Sequence, residues 1–463
     1  MQKTATKTIS AERFTPVTLA RKLDARVLLE SASFMKGRER YSILLVREAF
    51  CVRETDAGVV LVRDGTETRL PDPERDILDV LRSFAAEHQG SAFDFPFPAG
   101  GIGFLSYEYA SRFDTVRLQE RPDVLGLPHA AFLFGHLFAV FDHYVDSVTL
   151  LGINYDGYEI DLDAAIDAAM ARIDDMDFNF MAPQRHRGQA EVVDEGDPPR
   201  FMAGVREVRE EIIAGNLLQG VLSRRLAVRT GLPALEAYRN LRHTNPSPYM
   251  FYLRYDDFEL FGASPEVHVR CRQGRAILRP IAGTRRRGAD RAEDDALEAE
   301  LLGDEKELAE HLMLVDLGRN DLGRVCIPGS VEVTELNVIE HYSHVMHIVS
   351  QVEGNLFPDR DGIDALRATF PAGTVSGAPK IRAMEVIDRL EAAPRSFYAG
   401  VVGYVEPDGS LDTCIAIRCG LKKDGVMVLQ AGAGVVYDSS PERELEETDE
   451  KLGALVRALG VEL

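Results

Sequence analysis

The first part of the chain is dominated by runs in which apolar and polar residues alternate: GVVLVRD and SVTLLGINY read as half-buried strands. Glycine and proline punctuation such as FPFPAGGIGF predicts turns between them. AAFLFGHLFAVF is apolar almost throughout, too short to cross a bilayer and interrupted at Gly135 and His136, which predicts a buried pair of strands. Periodicity is then lost. From Met181 to Arg200 the polar stretch MAPQRHRGQAEVVDEGDPPR holds three prolines and predicts a linker. After it the period becomes helical, and FMAGVREVREEIIAGNLLQ sets Phe201, Val205, Val208, Ile212 and Ile213 on one face. MFYLRY, FELFGAS, VHVRC and AILRPI follow as strands, with DDALEAELLGDEKELAEHLMLVDLGRND and APKIRAMEVIDRLE as long helices. The expectation is an α/β protein of the α+β type, antiparallel sheet packed with helices. It divides into an N-terminal subdomain over 1–180, a linker over 181–200 and a C-terminal subdomain over 201–463.

Composition narrows the functional classes. With 463 residues, 45% apolar and 28% charged, the chain has the make-up of a soluble globular protein large enough for two subdomains. A formal charge of −22 repels nucleic acid and anionic membrane surfaces, so a small anionic substrate requires local arginines, amides or a metal ion. Five cysteines with no CxxC pair predict reduced thiols in a cytoplasmic protein. The N-terminal MQKTATKTISAERF lacks the apolar core of a signal peptide, and the chain contains no tryptophan.

Two helices carry carboxylate pairs at a spacing of three: Glu307 with Glu310, and Glu444 with Glu447. Ser440 and Pro441 have the character of a cap and first helical position before the second pair, and Lys451 lies one turn beyond Glu447. Each pair is compatible with a solvated face, and together they are compatible with hard-oxygen ligation of Mg²⁺. GTVSGAPK offers amides and hydroxyls to an anion without being a Walker loop, and AGAGV is either a turn between strands or a backbone nest for a carboxylate. His347 lies in an apolar strand-like run, as a core residue or a base. Tyr398 and Arg418 are placed on strands, where a half-buried arginine needs an anionic partner.

In this order, the motifs LLES, LLQGVLSRR, NPSPYMFYL, GASPE, PIAGTRRRG, DEKELAEHLMLVDLGRND, HVMHIVS, GTVSGAPK, FYAGVVGY, IAIR, QAGAGVV and the ExxET helix resemble the chorismate-utilising enzymes. They are most similar to the large, aminating subunits of anthranilate synthases, and the resemblance covers almost the whole chain. It implies the fold of the anthranilate and aminodeoxychorismate synthases, an antiparallel β-sandwich core flanked by helices. It also implies Mg²⁺ on Glu310 and Glu447, with Glu307 and Glu444 supporting through water. The ring carboxylate of chorismate would meet Thr374, Gly432, Ala433 and Gly434, near Lys451, and the enolpyruvyl carboxylate would meet Tyr398 and Arg418. Glu266 matches a general acid, and His347 matches the base that completes pyruvate loss.

In relatives that aminate through a covalent lysine the motif reads PIKGT; Ala282 occupies that place here, beside Gly283 and Thr284. In relatives that add water, a base lysine stands where this chain has Gln219. Both replacements imply free ammonia as nucleophile. The resemblance further implies a separate glutamine amidotransferase subunit in a heterotetramer. It also implies feedback inhibition by tryptophan at Glu30, Ser31, Asn245, Pro246, Ser247, Tyr249 and Met250. Arg285, Arg286 and Arg287 read as structural or surface charges; the family often has proline at the position of Arg286. Alternative readings are an aminodeoxyisochorismate synthase, an aminodeoxychorismate synthase, and a non-catalytic sensor of chorismate or tryptophan.

Overall fold

The computed structural model describes residues 2–31, 40–70, 75–91, 93–121, 123–175, 188–342 and 345–462. Its strands join edge to edge into one large sheet system. Pairing is antiparallel in the strand pairs named below, while Val461–Glu462 runs parallel to Gly188–Asp194. Strand periodicity explains why the system is covered on both faces. In Tyr41–Thr55, Ile43 and Leu45 enter one apolar cluster while Leu44 enters another; in Tyr249–Arg254, Phe251 and Leu253 go one way, Met250 and Tyr252 the other. The first cluster is built mostly from strands, and takes Val52 and Phe134 from the N-terminal part together with Val269 and Ile415 from the C-terminal part. The second lies under helices Pro16–Leu23, Leu162–Asp174, Ala234–Thr244 and Pro441–Leu459. Antiparallel sheet flanked by helices is the architecture expected.

Several local expectations need correction. AAFLFGHLFAVF is one strand, Ala130–Asp142, not a pair. Gly135 marks a register irregularity against Tyr41–Thr55, where a Cβ would come within 2.5 Å of Phe138, and the Nδ1–H of His136 donates to the Ile153 carbonyl at 3.0 Å. The expected linker is partly regular structure: Gly188–Asp194 pairs with Gln219–Thr230, and helix Pro198–Ile213 begins inside it. Residues 176–187, including the expected boundary at 180, lie outside the described residues. On that helix Phe201, Val205 and Val208 are buried as expected, whereas Ile213 is exposed.

The long acidic helix is two, Arg291–Gly303 and Glu305–Gly323, because Asp304 caps the second by accepting from the Lys306 and Glu307 amides. AILRPI is likewise split between Arg275–Leu278 and Ile281–Arg286. The C-terminal helix Pro441–Leu459 starts as its sequence predicts. Ser440 Oγ accepts from the Arg443 amide, Pro441 opens the first turn, and Gly460 ends the helix at φ 75°.

Candidate active site

A cavity of about 800 Å³ opens between Gln219–Thr230, the strand Val426–Val435 and the Pro441–Leu459 helix, a volume suited to a small organic substrate. Thr284, Thr374, Tyr398, Arg418, Gly432, Gly434 and Lys451 all line it. AGAGV is neither a turn nor a nest: it lies within Val426–Val435, in register with Gln219–Thr230, so Gly432 faces Ser223 and Gly434 faces Val221. The glycines are needed for approach. A Cβ on Gly432 would stand 2.9 Å from the Leu222 carbonyl and 3.1 Å from Tyr398 Oη, and one on Gly434 2.9 Å from Gln219 Nε2. Ala433 alternates to the opposite face and packs into the apolar cluster containing Val205 and Ala383, so its methyl points away from the cavity.

Tyr398 and Arg418 lie just outside strands rather than on them: Tyr398 in the turn before Val401–Val405, Arg418 between Leu411–Ile415 and Cys419–Lys423. Arg418 has φ 50°, an uncommon conformation for a residue with a side chain, and reaches into the cavity. The cavity leaves its surface accessible while walls of protein enclose it; this enclosure pulls its pKa below 12.5 against the opposing charge of Glu266 and the nearby Tyr342.

PIAGT forms the strand Ile281–Arg286 with an irregularity at Gly283, whose φ is 64°. The bulge leaves Ala282 opposite Ile348 and brings Thr284 opposite His347 on the strand Val345–Asn355. His347 Nδ1–H donates to the Gly283 carbonyl at 3.0 Å, with Thr284 Oγ1 3.1 Å away, so the neutral ring keeps the Nε2 lone pair. Burial pushes this histidine from 6.5 down to about 4, opposed by the bond to Gly283 and reinforced by the charge of Arg418. Glu266 has moved the other way. Burial pushes its carboxyl from 4.5 up to about 8, outweighing the Thr374 hydroxyl, the Ile281 amide and Arg418. Thr374 Oγ1 is buried without a hydrogen bond of ordinary geometry. A neutral imidazole and a protonated carboxyl thus lie within electrostatic reach of the same guanidinium, a pairing suited to proton transfer in both directions.

The four glutamates sit on Glu305–Gly323 and Pro441–Leu459 as expected. The charges of Glu307 and Glu447 both act on Glu310, whose pKa is raised chiefly by burial, and Glu447 acts likewise on buried Glu444. Glu310 accepts from Gln219 Nε2, Glu447 pairs with Lys451 at 2.7 Å, and Lys451 Nζ also donates to the Gly432 carbonyl at 2.8 Å. Glu307 receives Arg285 at 3.3 Å. Among the described residues, no three His, Cys, Asp or Glu side chains stand close enough to hold a metal ion as placed. The donor set nevertheless suits one. Half-buried Glu310 and buried Glu444, both with raised pKa values and each facing a like charge, would be relieved by a divalent cation that prefers oxygen. Gln219 Oε1 is buried without a partner.

The arginines of PIAGTRRRG are anchored to acids. Arg285 binds Glu300 and Asp304 as well as Glu307, Arg286 binds Glu293 at 2.5 Å, and Arg287 binds Asp294 at 2.5 Å.

The residues expected to bind tryptophan separate into two groups. Glu30, Ser31, Tyr249 and Met250 line a second cavity with Arg270, Tyr404 and Asp412, because Val27–Glu30 pairs with Tyr249–Arg254 so that Glu30 lies opposite Met250. Among the described residues, Ser31 Oγ is buried there without a partner. Asn245 instead lines the large cavity, and buried Ser247 turns its hydroxyl back to the Asn245 carbonyl at 3.4 Å; Pro246 lines neither cavity. A short path joins the two cavities. Glu30 accepts from Tyr238 Oη at 2.6 Å and Arg242 Nε at 2.9 Å on helix Ala234–Thr244, whose Leu241 and Thr244 line the large cavity.

Residues 47–457 match the family of chorismate binding enzymes. Anthranilate synthase component 1 of Spirochaeta aurantia is 59% identical, covering 99% of this chain and 96% of its own length. The component 1 of Cereibacter sphaeroides is 42% identical, covering 97% and 93%. The crystal structure of anthranilate synthase component I from Streptococcus pneumoniae TIGR4 superposes with a TM-score of 0.79 at 34% identity, covering 97% of this chain and 99% of that one.

Proposed function

Since the chain belongs to the chorismate-binding enzymes and, within them, to the anthranilate synthase component 1 group, we propose that it converts chorismate and ammonia to anthranilate and pyruvate. The observation that carries this reading is the opposed tuning of Glu266 and His347 beside one cavity. In this reading the enolpyruvyl carboxylate lies on Arg418 and Tyr398, and the ring carboxylate at the Thr374, Gly432 and Gly434 wall. Ammonia adds at ring carbon 2 while Glu266, which keeps its proton near neutral pH, gives it to the hydroxyl leaving carbon 4. His347 Nε2 then takes the carbon 2 proton, and pyruvate leaves as the ring becomes aromatic. Ala282 offers no amine for a covalent route, and Gln219, a neutral amide already given to Glu310, is no base for water. Glu310 and Glu447, with Glu307 and Glu444 behind them, are the residues to hold Mg²⁺, which would supply positive charge to the ring carboxylate.

The component 1 name of the relatives implies a component 2, which is read as a separate glutamine amidotransferase supplying the ammonia. The cavity at Glu30 and Ser31 is read as the tryptophan inhibitor site, supported by the orphaned Ser31 hydroxyl and by the Tyr238 and Arg242 link to the large cavity. The test uses the purified chain with chorismate, Mg²⁺ and an ammonium salt at alkaline pH, following anthranilate fluorescence, with Mg²⁺ omitted as control. Metal-dependent fluorescence supports the reading. Chorismate loss with an accumulating amino product would replace it by an aminodeoxyisochorismate or aminodeoxychorismate synthase, and no consumption by a sensor.

A further inference from the structure

Arg395 is 1% exposed and lines neither the large cavity nor the one beside Ser31. We propose that it is the positioning residue that holds the separate walls of the large cavity in one arrangement; the consequence for turnover rests on reading that cavity as the chorismate site. Its donors add side-chain ties between segments that the backbone joins at Gln219–Gly220 against Gly377–Ala378. Nη1 donates to the Val375 carbonyl of GTVSG at 2.6 Å, and Nη2 donates to the Val221 carbonyl of Gln219–Thr230 at 2.5 Å. Val375 and Val221 both line the cavity. The guanidinium carbon stands 5.8 Å from the ring centroid of Tyr398, a third wall residue, and 4.6 Å from that of Tyr107.

The charge is compensated away from the cavity. Glu391 meets Arg395 at 2.6 Å from Nη2 and 3.0 Å from Nε. Glu391 Oε1 also accepts from the Ser223 amide at 2.8 Å and hydroxyl at 2.9 Å, and that hydroxyl accepts from Gln430 Nε2 at 2.7 Å. Gln430 is a fourth cavity residue, so the network spans two strands, the GTVSG turn and the Tyr398 turn. Glu108 fixes the Tyr398 turn from the N-terminal part, accepting from the Arg395 and Ser396 amides at 2.6 and 2.9 Å. Only a planar fork with five donors serves two carbonyls and a carboxylate while stacking on rings; an ammonium is a single centre.

The two carbonyls explain why the position matters. Val221 is two residues from Gln219 on the strand that pairs with Gly432 and Gly434, and Val375 adjoins Thr374, so a loosened Arg395 lets Thr374 and the Tyr398 turn shift against that strand beyond the Gly377–Ala378 pairing. A misplacement of about 1 Å is enough to cost about 100-fold in rate.

The test pairs Arg395→Lys with the charge-neutral double variant Arg395→Met/Glu391→Gln, which removes both members of the buried ion pair together. Thermal unfolding and hydrogen exchange are read beside ammonia-dependent kinetics. The expected result is a folded protein with faster exchange confined to amides around 219–223, 373–377 and 396–400. Its kcat/KM for chorismate falls about 100-fold, part of it a raised KM, and Arg395→Lys does not restore it. A merely structural role would instead speed exchange throughout and lower kcat with KM unchanged. Wild-type exchange at those three segments in either folded variant, or kcat/KM within about threefold of wild type, overturns the proposal, since no wall is then displaced by about 1 Å. Exchange remains readable if the wild-type chain turns over no chorismate, in which case the functional reading fails while the clamp is still tested.

Discussion

Glu266→Gln separates catalysis from stability. The carboxyl lies at about 8 in the folded chain against an ordinary 4.5, a difference of about 3.5 units. Between those values the unfolded chain has released the proton and the folded chain retains it, so the folded state binds more protons and stability falls as pH rises through this window. Below 4.5 both states hold the proton, and above about 8 both have lost it. At 1.36 kcal/mol per unit the cost reaches about 5 kcal/mol as an upper bound. Glutamine has the same shape without the ionisation. Urea denaturation of wild type and variant across pH 5–9 should therefore show the variant's relative stability climbing with pH, by several kcal/mol of the roughly 5 available. Ammonia-dependent turnover should meanwhile fall about 10²- to 10⁴-fold, with KM for chorismate little changed. Parallel stability curves for the two proteins, differing by less than about 1 kcal/mol in slope across the window, would refute a buried, protonated Glu266.

His347→Met should let an amino intermediate accumulate while anthranilate production falls about 100-fold or more, read by chromatography; loss of chorismate consumption with no intermediate would contradict a base confined to the elimination. Because burial holds His347 near 4, the wild-type elimination rate should stay flat from pH 6 to 7 rather than bend near 6.5; a bend there refutes the neutral resting imidazole. Glu310→Gln should lower Mg²⁺-dependent turnover by about 10- to 100-fold and weaken Mg²⁺ binding measured by calorimetry, and unaltered binding removes Glu310 from the metal set. Ser31→Ala should raise the tryptophan concentration for half inhibition about tenfold, since a buried hydroxyl bond of about 1.4 kcal/mol is lost; an unmoved curve places the inhibitor elsewhere.

Sheet-forming runs and the capped C-terminal helix were legible because each follows from local periodicity or capping chemistry, whereas Gly432 and Gly434, read locally as a turn or a nest, lie within a strand. What failed depended on neighbours. The break at Asp304 is a local signal, glycine followed by aspartate, that the continuous apolar pattern on either side obscured. Ala433 was grouped with Gly432 and Gly434 by a motif, whereas a strand sends alternate residues to opposite faces. Asn245 parts from Tyr249 because four residues of a turn and strand start carry the chain from one cavity to the other. Arg395 was missed altogether. Its signal was a lone arginine between Pro394 and the apolar SFYAGVV run, and nothing in sequence says that Val221, Val375 and Glu391 converge on it.

The raised pKa of Glu266 also suggests how a chain of formal charge −22 would accept the dianion of the proposed reaction. Surface charges farther than about 8 Å are screened at physiological ionic strength, so the cavity is governed by groups within its own walls. There the three arginines of PIAGTRRRG contribute little, each being committed to acids on the neighbouring helices. Arg418 has no ion pair with a carboxylate among the described residues, and the acid that acts on it most strongly is Glu266. Were Glu266 ionised at neutral pH, it would neutralise the guanidinium that the substrate needs. By keeping its proton it leaves Arg418 electrostatically free for a carboxylate, and in the proposed reaction it would also protonate the departing hydroxyl, so a single desolvated carboxyl would serve both binding and chemistry. Lys451, by contrast, is shared between Glu447 and the Gly432 carbonyl, and were Glu447 to hold a divalent cation its charge would be available to the ring carboxylate of the proposed substrate. In the proposed reaction substrate and metal would therefore depend on each other at this wall, since Glu310 and Glu447 would hold the ion and a substrate carboxylate would add to their oxygen donors.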